Sequence, residues 1–165
     1  MNISAVEAQI TTFLDKYDPA IATQLREARV RLRALFPRGF ELIFDNYNAL
    51  VFGIAAGERT TDAFVSIAGY PRWVTLFFLR GIDLDDPLGL LEGQGAQIRS
   101  VRLKSSRDID APGVRALIAQ AIAAQREALA KAPKLQTVIK LISPKQRPRR
   151  PASATKVVRP GRVKA

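Results

Sequence analysis

The sequence predicts an α+β domain: two N-terminal helices, an antiparallel sheet of about five strands, a C-terminal helix packed on that sheet, and a disordered basic tail. Three observations carry this expectation. Apolar residues recur at helical spacing through residues 1–36, and four short β-prone runs separated by turn residues follow over residues 40–81. The third is the location of charge. Residues 1–130 carry 15 Lys+Arg and 15 Asp+Glu, whereas residues 131–165 carry 11 Lys+Arg and no acid, so the net charge of +11 sits entirely in the C-terminal part.

The first helix opens at Ser4-Ala5-Val6-Glu7, which has the form of a capping box, and Val6, Ile10, Phe13, Leu14 and Tyr17 fall on one face. Asp18-Pro19 restarts the pattern, with Asp18 as N-cap and Pro19 in the first helical position. Ile21, Leu25, Ala28, Leu32 and Leu35 form its buried stripe. Arg26, Arg29 and Arg33 read as the solvated face opposite, and Pro37-Arg38-Gly39 ends the helix.

Phe40–Phe44 and Leu50–Ile54 read as strands joined by the turn-forming Asp45-Asn46-Tyr47-Asn48. After the loop at residues 56–62 comes Ala63–Gly81, the segment the rest is organised around. Two apolar runs meet there at Gly69-Tyr70-Pro71-Arg72, and the second, Val74–Leu79, is apolar on both alternating faces, as in a strand covered on both sides. Burying Leu76, Phe77 and Phe78 stabilises by roughly 1.5–3 kcal/mol each before entropy. Residues 82–97 read as an irregular crossing with one helical turn. Ile98–Lys104 alternates as a strand with a basic, wetter face. Asp110-Ala111-Pro112 opens the last helix, whose stripe is Val114, Leu117, Ile118, Ala121, Ile122 and Leu129. The expected division is thus a domain over 1–132, a short strand-like or docked segment over 133–142, and a disordered Pro/Arg/Lys tail over 143–165.

Composition excludes much chemistry. The chain has no cysteine and no histidine, which removes disulfides, thiolate and imidazole metal sites, cysteine nucleophiles and the usual general base. No apolar run reaches the length of a membrane span, and the N-terminus lacks a signal pattern, so a cytoplasmic protein is expected.

Several strings resemble the YdhG-like (YdhG/YobT-like) family of small bacterial proteins, a domain of unknown function. They are Asp45–Gly53 (DNYNALVFG), Tyr70–Phe78 (YPRWVTLFF), Asp86-Pro87 with Leu90-Leu91 and Gly93-x-Gly95, and Ile98–Leu103. The Gln146–Pro151 string resembles one branch of that family. The resemblance implies N-terminal helices, a sheet of about five antiparallel strands and a C-terminal helix. It also implies frataxin-like iron carriage on acidic surface residues, although the histidine that many relatives carry before the Phe-rich strand is absent here.

Three candidate sites follow. Asp45, Tyr47, Asn48, Trp73 and Arg99 lie near predicted strand ends and would line a small-ligand cleft if those ends converge; otherwise they form turns and rim packing. The acidic crossing offers Asp83, Asp85, Asp86 and Glu92 as oxygen ligands for iron or magnesium, but without the spacing of a calcium loop. In the tail, Lys145, Arg147, Arg149, Arg150, Lys156, Arg159, Arg162 and Lys164 are spread among prolines, a composition that meets nucleic acid or another polyanion by counterion release. No aromatic residue follows Phe78, so the tail brings no stacking platform of its own. The function expected is a non-catalytic binding module with a polyanion-contacting tail and no required cofactor; the alternative is a metal-ion or small-molecule carrier.

Overall fold

Apolar residues spaced three and four apart build the helical layer. In the computed structural model, which describes residues 3–151 and their side chains from Ala5 onward, α1 spans Ile3–Leu14 and α2 spans Pro19–Arg33. Ile10, Phe13 and Leu14 are buried, and Tyr17 is buried in the link that follows. Pro19 occupies the first turn of α2, where a missing N–H forfeits no hydrogen bond. Asp18 precedes it without making a side-chain cap. Glu7 does not take the expected capping role: its carboxylate accepts two hydrogen bonds from Arg29, at 2.8 and 3.0 Å. The side chain of Ser4 lies outside the described residues.

Arg29 departs from the solvated face expected for it. It sits four residues beyond Leu25 and one beyond Ala28, on the flank of the apolar stripe, and is buried with them. Its Nε and Nη2 each donate to Glu41 at 2.8 Å, while Arg33 and Thr137 also donate to Glu41. Burial pushes the Arg29 pKa down, yet the bonds to Glu41 and Glu7 hold it above its ordinary value. The same contact with Arg29 holds the Glu7 carboxyl below the usual carboxylate range. Charges this deep persist because each is paired and hydrogen-bonded.

The sheet has six strands: β1 (Phe40–Asp45), β2 (Leu50–Ala55), β3 (Ala63–Gly69), β4 (Val74–Phe78), β5 (Arg99–Leu103) and β6 (Gln136–Ile142). Spatial order is β5-β4-β3-β2-β1-β6. The first five form the expected antiparallel meander, but β6 pairs parallel to β1, so the sheet is mixed. The reason lies in the connection. Parallel neighbours require a long crossover, which α3 (Pro112–Ala124) and α4 (Arg126–Lys131) provide by returning the chain to the start of β1. There Gly39 N–H donates to Pro133 O at 2.8 Å and Gln136 N–H donates to Gly39 O at 3.1 Å. Gly39 has φ 122°, and an added Cβ would lie 2.7 Å from Ala55 O. Only glycine suits that position.

The last helix, expected to continue to Leu129, breaks at Gln125, which separates α3 from α4. Val114, Leu117, Ile118 and Ala121 are buried as the stripe requires. They share one core with α1, α2 and the strand residues Ile43, Phe52, Ile67, Leu76 and Phe78. On the other face of the sheet, Phe40, Leu42 and Ala55 form a smaller cluster with Phe44, Ala63 and Val138, and among the described residues no helix side chain joins it.

Ser143–Pro151, expected to be disordered, is instead laid down against the domain. Two backbone donors tie it to the end of β1 and the turn that follows: Ser143 N–H to Asp45 O at 2.9 Å and Arg147 N–H to Tyr47 O at 2.8 Å. Little apolar surface is buried here. Ion pairs and hydrogen bonds hold this strap, which a hydrophobicity pattern does not register. Of the predicted tail cations, Lys156, Arg159, Arg162 and Lys164 lie outside the described residues.

Candidate functional site

Strand register gathers three chain segments at one end of the sheet. Asp45, Leu50, Gly69, Val74 and Leu103 are successive partners across the strands, so the β1–β2 turn and the β3–β4 turn project beyond the same edge. Because β6 runs parallel to β1, with Ile142 opposite Asp45, the strap leaves the sheet at that end too. Each turn is closed by a backbone bond, Asn46 N–H to Ala49 O at 2.9 Å and Tyr70 N–H to Trp73 O at 2.8 Å.

A buried polar knot fixes the strap to both turns. Arg149 enters the interior, and its Nη1 lies 3.0 Å from Asp45 Oδ1 and donates to Tyr17 Oη at 3.0 Å; Nη2 donates to Asn46 O. Tyr17 in turn donates to Gly69 O at 2.6 Å and accepts from Leu50 N–H at 3.0 Å. Lys16 Nζ bridges Asp45 Oδ2 at 2.6 Å and Gln146 Oε1 at 2.7 Å. Burial pushes the Tyr17 phenol up, an effect that the Arg149 charge opposes. The Asp45 Oδ1 contact is close but poorly aligned as a hydrogen bond, and Arg149 Nε finds no hydrogen-bond partner among the described residues. Geometry here favours charge pairing over a bidentate fork.

Above this knot lies a cleft of about 590 Å³, lined by Asn48, Tyr70, Pro71, Arg72, Trp73, Arg147, Pro148, Arg150 and Pro151. Its volume falls within the range of small-molecule sites. Arg147 donates to Asn48 Oδ1 at 3.3 Å and its guanidinium stands over the Tyr47 ring at 5.9 Å. Arg150 donates to the carbonyls of Asp15 and Lys16, each at 3.3 Å, and lies 3.6 Å from Asp18. Arg72 is exposed. Tyr70 and Trp73 rings are tilted at 37° with centroids 5.8 Å apart. Arg102 stacks over Trp73 at 4.1 Å, reaching it because Arg102 pairs with Thr75, two residues along β4 on the same face. Burial raises the Tyr70 pKa.

Of the predicted pocket residues, Asn48 and Trp73 line this cleft and Tyr47 flanks it through Arg147. Asp45 lies beneath it, consumed by the knot. Arg99 does not belong to it: it pairs with Phe78, at the far end of β4 from Trp73, and donates to the carbonyls of Gly95 and Ile98. Of the tail residues, Arg147 and Arg150 line the cleft, Arg149 is internal, and Lys145 is exposed on the strap. Sequence reasoning missed Tyr70, Arg72 and Arg102 as site residues. The signal for Tyr70 and Arg72 was present in the clustering of aromatic and basic residues at Tyr70-Pro71-Arg72-Trp73, whereas Arg102 reaches Trp73 only through the β4–β5 register.

The acidic crossing is dispersed. Asp83 pairs with Arg80 at 2.7 Å, and Asp86 accepts the Leu90 and Leu91 backbone N–H groups, each at 2.8 Å. Glu92 is exposed beside its backbone bridge to Ser100, and Asp85 is tied through its backbone to Gln120. Among the described residues no three acidic side chains gather as a metal site would need. A larger groove of about 740 Å³ lies near the other end of the sheet, against Phe64, Leu79 and Gln125, but its arginines are engaged, Arg59 with Asp62 and Arg80 with Asp83. Among the described residues, no helix is long and apolar enough to cross a membrane.

No family model matches the chain, and no curated protein or solved structure matches it.

Proposed function

We propose that this protein is a non-catalytic binding module, of the YdhG-like kind its sequence resembles, that contacts nucleic acid or another polyanion through its basic C-terminal segment. One observation carries the reading: Arg147 and Arg150 of that segment open onto a shared cleft with Arg72 of the β3–β4 turn. A flexible basic tail acts as a diffuse counterion cloud, whereas arginines held by Asn48, Lys16 O and Asp15 O keep fixed positions for phosphate or sulfate groups. The absence of histidine and cysteine, and the consumption of Asp45 and Tyr17 in structural pairs, leave the cleft without an evident base or nucleophile among the described residues.

Binding of the full chain to heparin and to duplex DNA should weaken steeply with salt. Replacing Arg72, Arg147 and Arg150 together by alanine should reduce the log K versus log salt slope on duplex DNA by about 2–3, since each phosphate contact contributes about 0.9. An unchanged slope would remove the cleft from the reading. Carriage of iron or magnesium at the acidic crossing is the weaker reading, given the dispersal of Asp83, Asp85, Asp86 and Glu92. Calorimetric titration with each metal checks it.

A further inference from the structure

We infer that the cleft between the β3–β4 turn and the strap is a binding site for single-stranded nucleic acid, in which bases stack on Tyr70 and Trp73 while Arg72, Arg147 and Arg150 hold the flanking phosphates. This deepens the polyanion reading above and rests on it. The tail sequence contains no aromatic residue, which argues against stacking from that segment alone. Folding changes the argument by bringing the arginine-bearing strap against a turn that carries two aromatic rings. Cation and π-face then line the same depression, which is the combination that single-strand binders use.

Three features favour a nucleic acid strand over the other polyanions. Sulfated sugars present no planar face for Tyr70 or Trp73 to meet. An anionic lipid surface would call for exposed aliphatic side chains at the rim, whereas the cleft is bordered by Pro71, Pro148 and Pro151. Duplex DNA offers phosphates but keeps its bases stacked inside, so the rings would gain nothing from it. Arg102 lies over the Trp73 ring and holds the indole at a set angle, so its ring is positioned before a ligand arrives. Asn48, whose Oδ1 accepts from Arg147, stands at the rim with its side-chain amide exposed, beside the entry for a base edge.

The chain holds a single tryptophan, so fluorescence excited on the red side of the tyrosine band reports on Trp73 alone. The experiment titrates the full-length protein with four probes of equal phosphate or sulfate count at one salt concentration: a single-stranded oligothymidylate, an abasic oligodeoxynucleotide, a duplex and heparin. Expected is saturable quenching with the oligothymidylate only, together with tighter binding of that strand than of its abasic counterpart. Tyr70→Leu should weaken oligothymidylate binding by about 5- to 150-fold and leave heparin retention unchanged. Circular dichroism checks that this variant folds, and the wild-type quenching comparison decides the matter if it does not. Equal binding of all four probes without quenching overturns the inference and leaves the polyanion reading standing. Failure of every probe to bind at low salt overturns both.

Discussion

Arg149 Nη1 lies 3.0 Å from Asp45 Oδ1, with 2% and 0% of the two side chains exposed. A residue from the basic C-terminal part thus neutralises a carboxylate in the core. Replacing Arg149 by methionine strands Asp45 against only Lys16 and should cost about 3–5 kcal/mol, read as a lower midpoint in urea unfolding. Adding Asp45→Asn to that variant should cost less than the two single changes summed, because the pair is coupled.

Tyr17 supplies the hydroxyl on which Leu50 N–H, Gly69 O and Arg149 all depend. Tyr17→Phe keeps the ring and removes these partners, so the expected loss is at least about 1–3 kcal/mol per buried group left unsatisfied. Gly69→Ala tests the same junction sterically. Its new methyl would meet Leu25 Cδ2, in a site whose backbone is fixed by two strand neighbours. Overpacking of about 1–3 kcal/mol is expected.

The Glu7–Arg29 contact predicts a defined pH dependence. Arg29 holds the Glu7 carboxyl below its ordinary 4.5. Its contribution is therefore fully present above that value and is lost as pH falls through the lower folded-state value. Thermal melts of Glu7→Gln should show a lower midpoint than wild type near pH 7, with the gap closing below about pH 4.5. Glu7 is partly exposed, so the gap corresponds to at most about 1 kcal/mol after screening.

Arg102→Ala should leave global stability within about 1 kcal/mol, as expected for an exposed cation–π contact. It should nevertheless raise acrylamide quenching of Trp73, because the guanidinium that covers the indole face is removed.

Local pattern revealed most of the framework and little of the site. Val6, Ile10, Phe13 and Leu14, the hairpin at Ala63–Gly81 and the stripe from Val114 to Ala121 were visible because burial and periodicity coincide in them. Residues 133–142 were legible only as a short strand-like or docked segment; that β6 forms there, its direction and its neighbour were not, since pairing with β1 depends on how far the two intervening helices carry the chain. Arg29 and Arg149 were misplaced for one reason. A buried arginine is stabilised by specific carboxylates from distant segments, here Glu41 and Asp45, and no window of sequence contains both partners. Arg99 was misassigned because nearness to a strand end does not say which end; only the register with Phe78 settles that.

The parallel pairing of β6 with β1 has a consequence for biosynthesis. During translation the edge of β1 emerges from the ribosome far ahead of the residues that will cover it, and it stays uncovered until residues 136–142 and the arginine at 149 have cleared the exit tunnel. Closing so long a loop is an entropic barrier. The native state is therefore completed only after nearly all the described chain has been made, and an interruption of synthesis before Gln136 leaves a nascent chain with an open β-edge and Asp45 paired with Lys16 alone, the kind of species that chaperones engage.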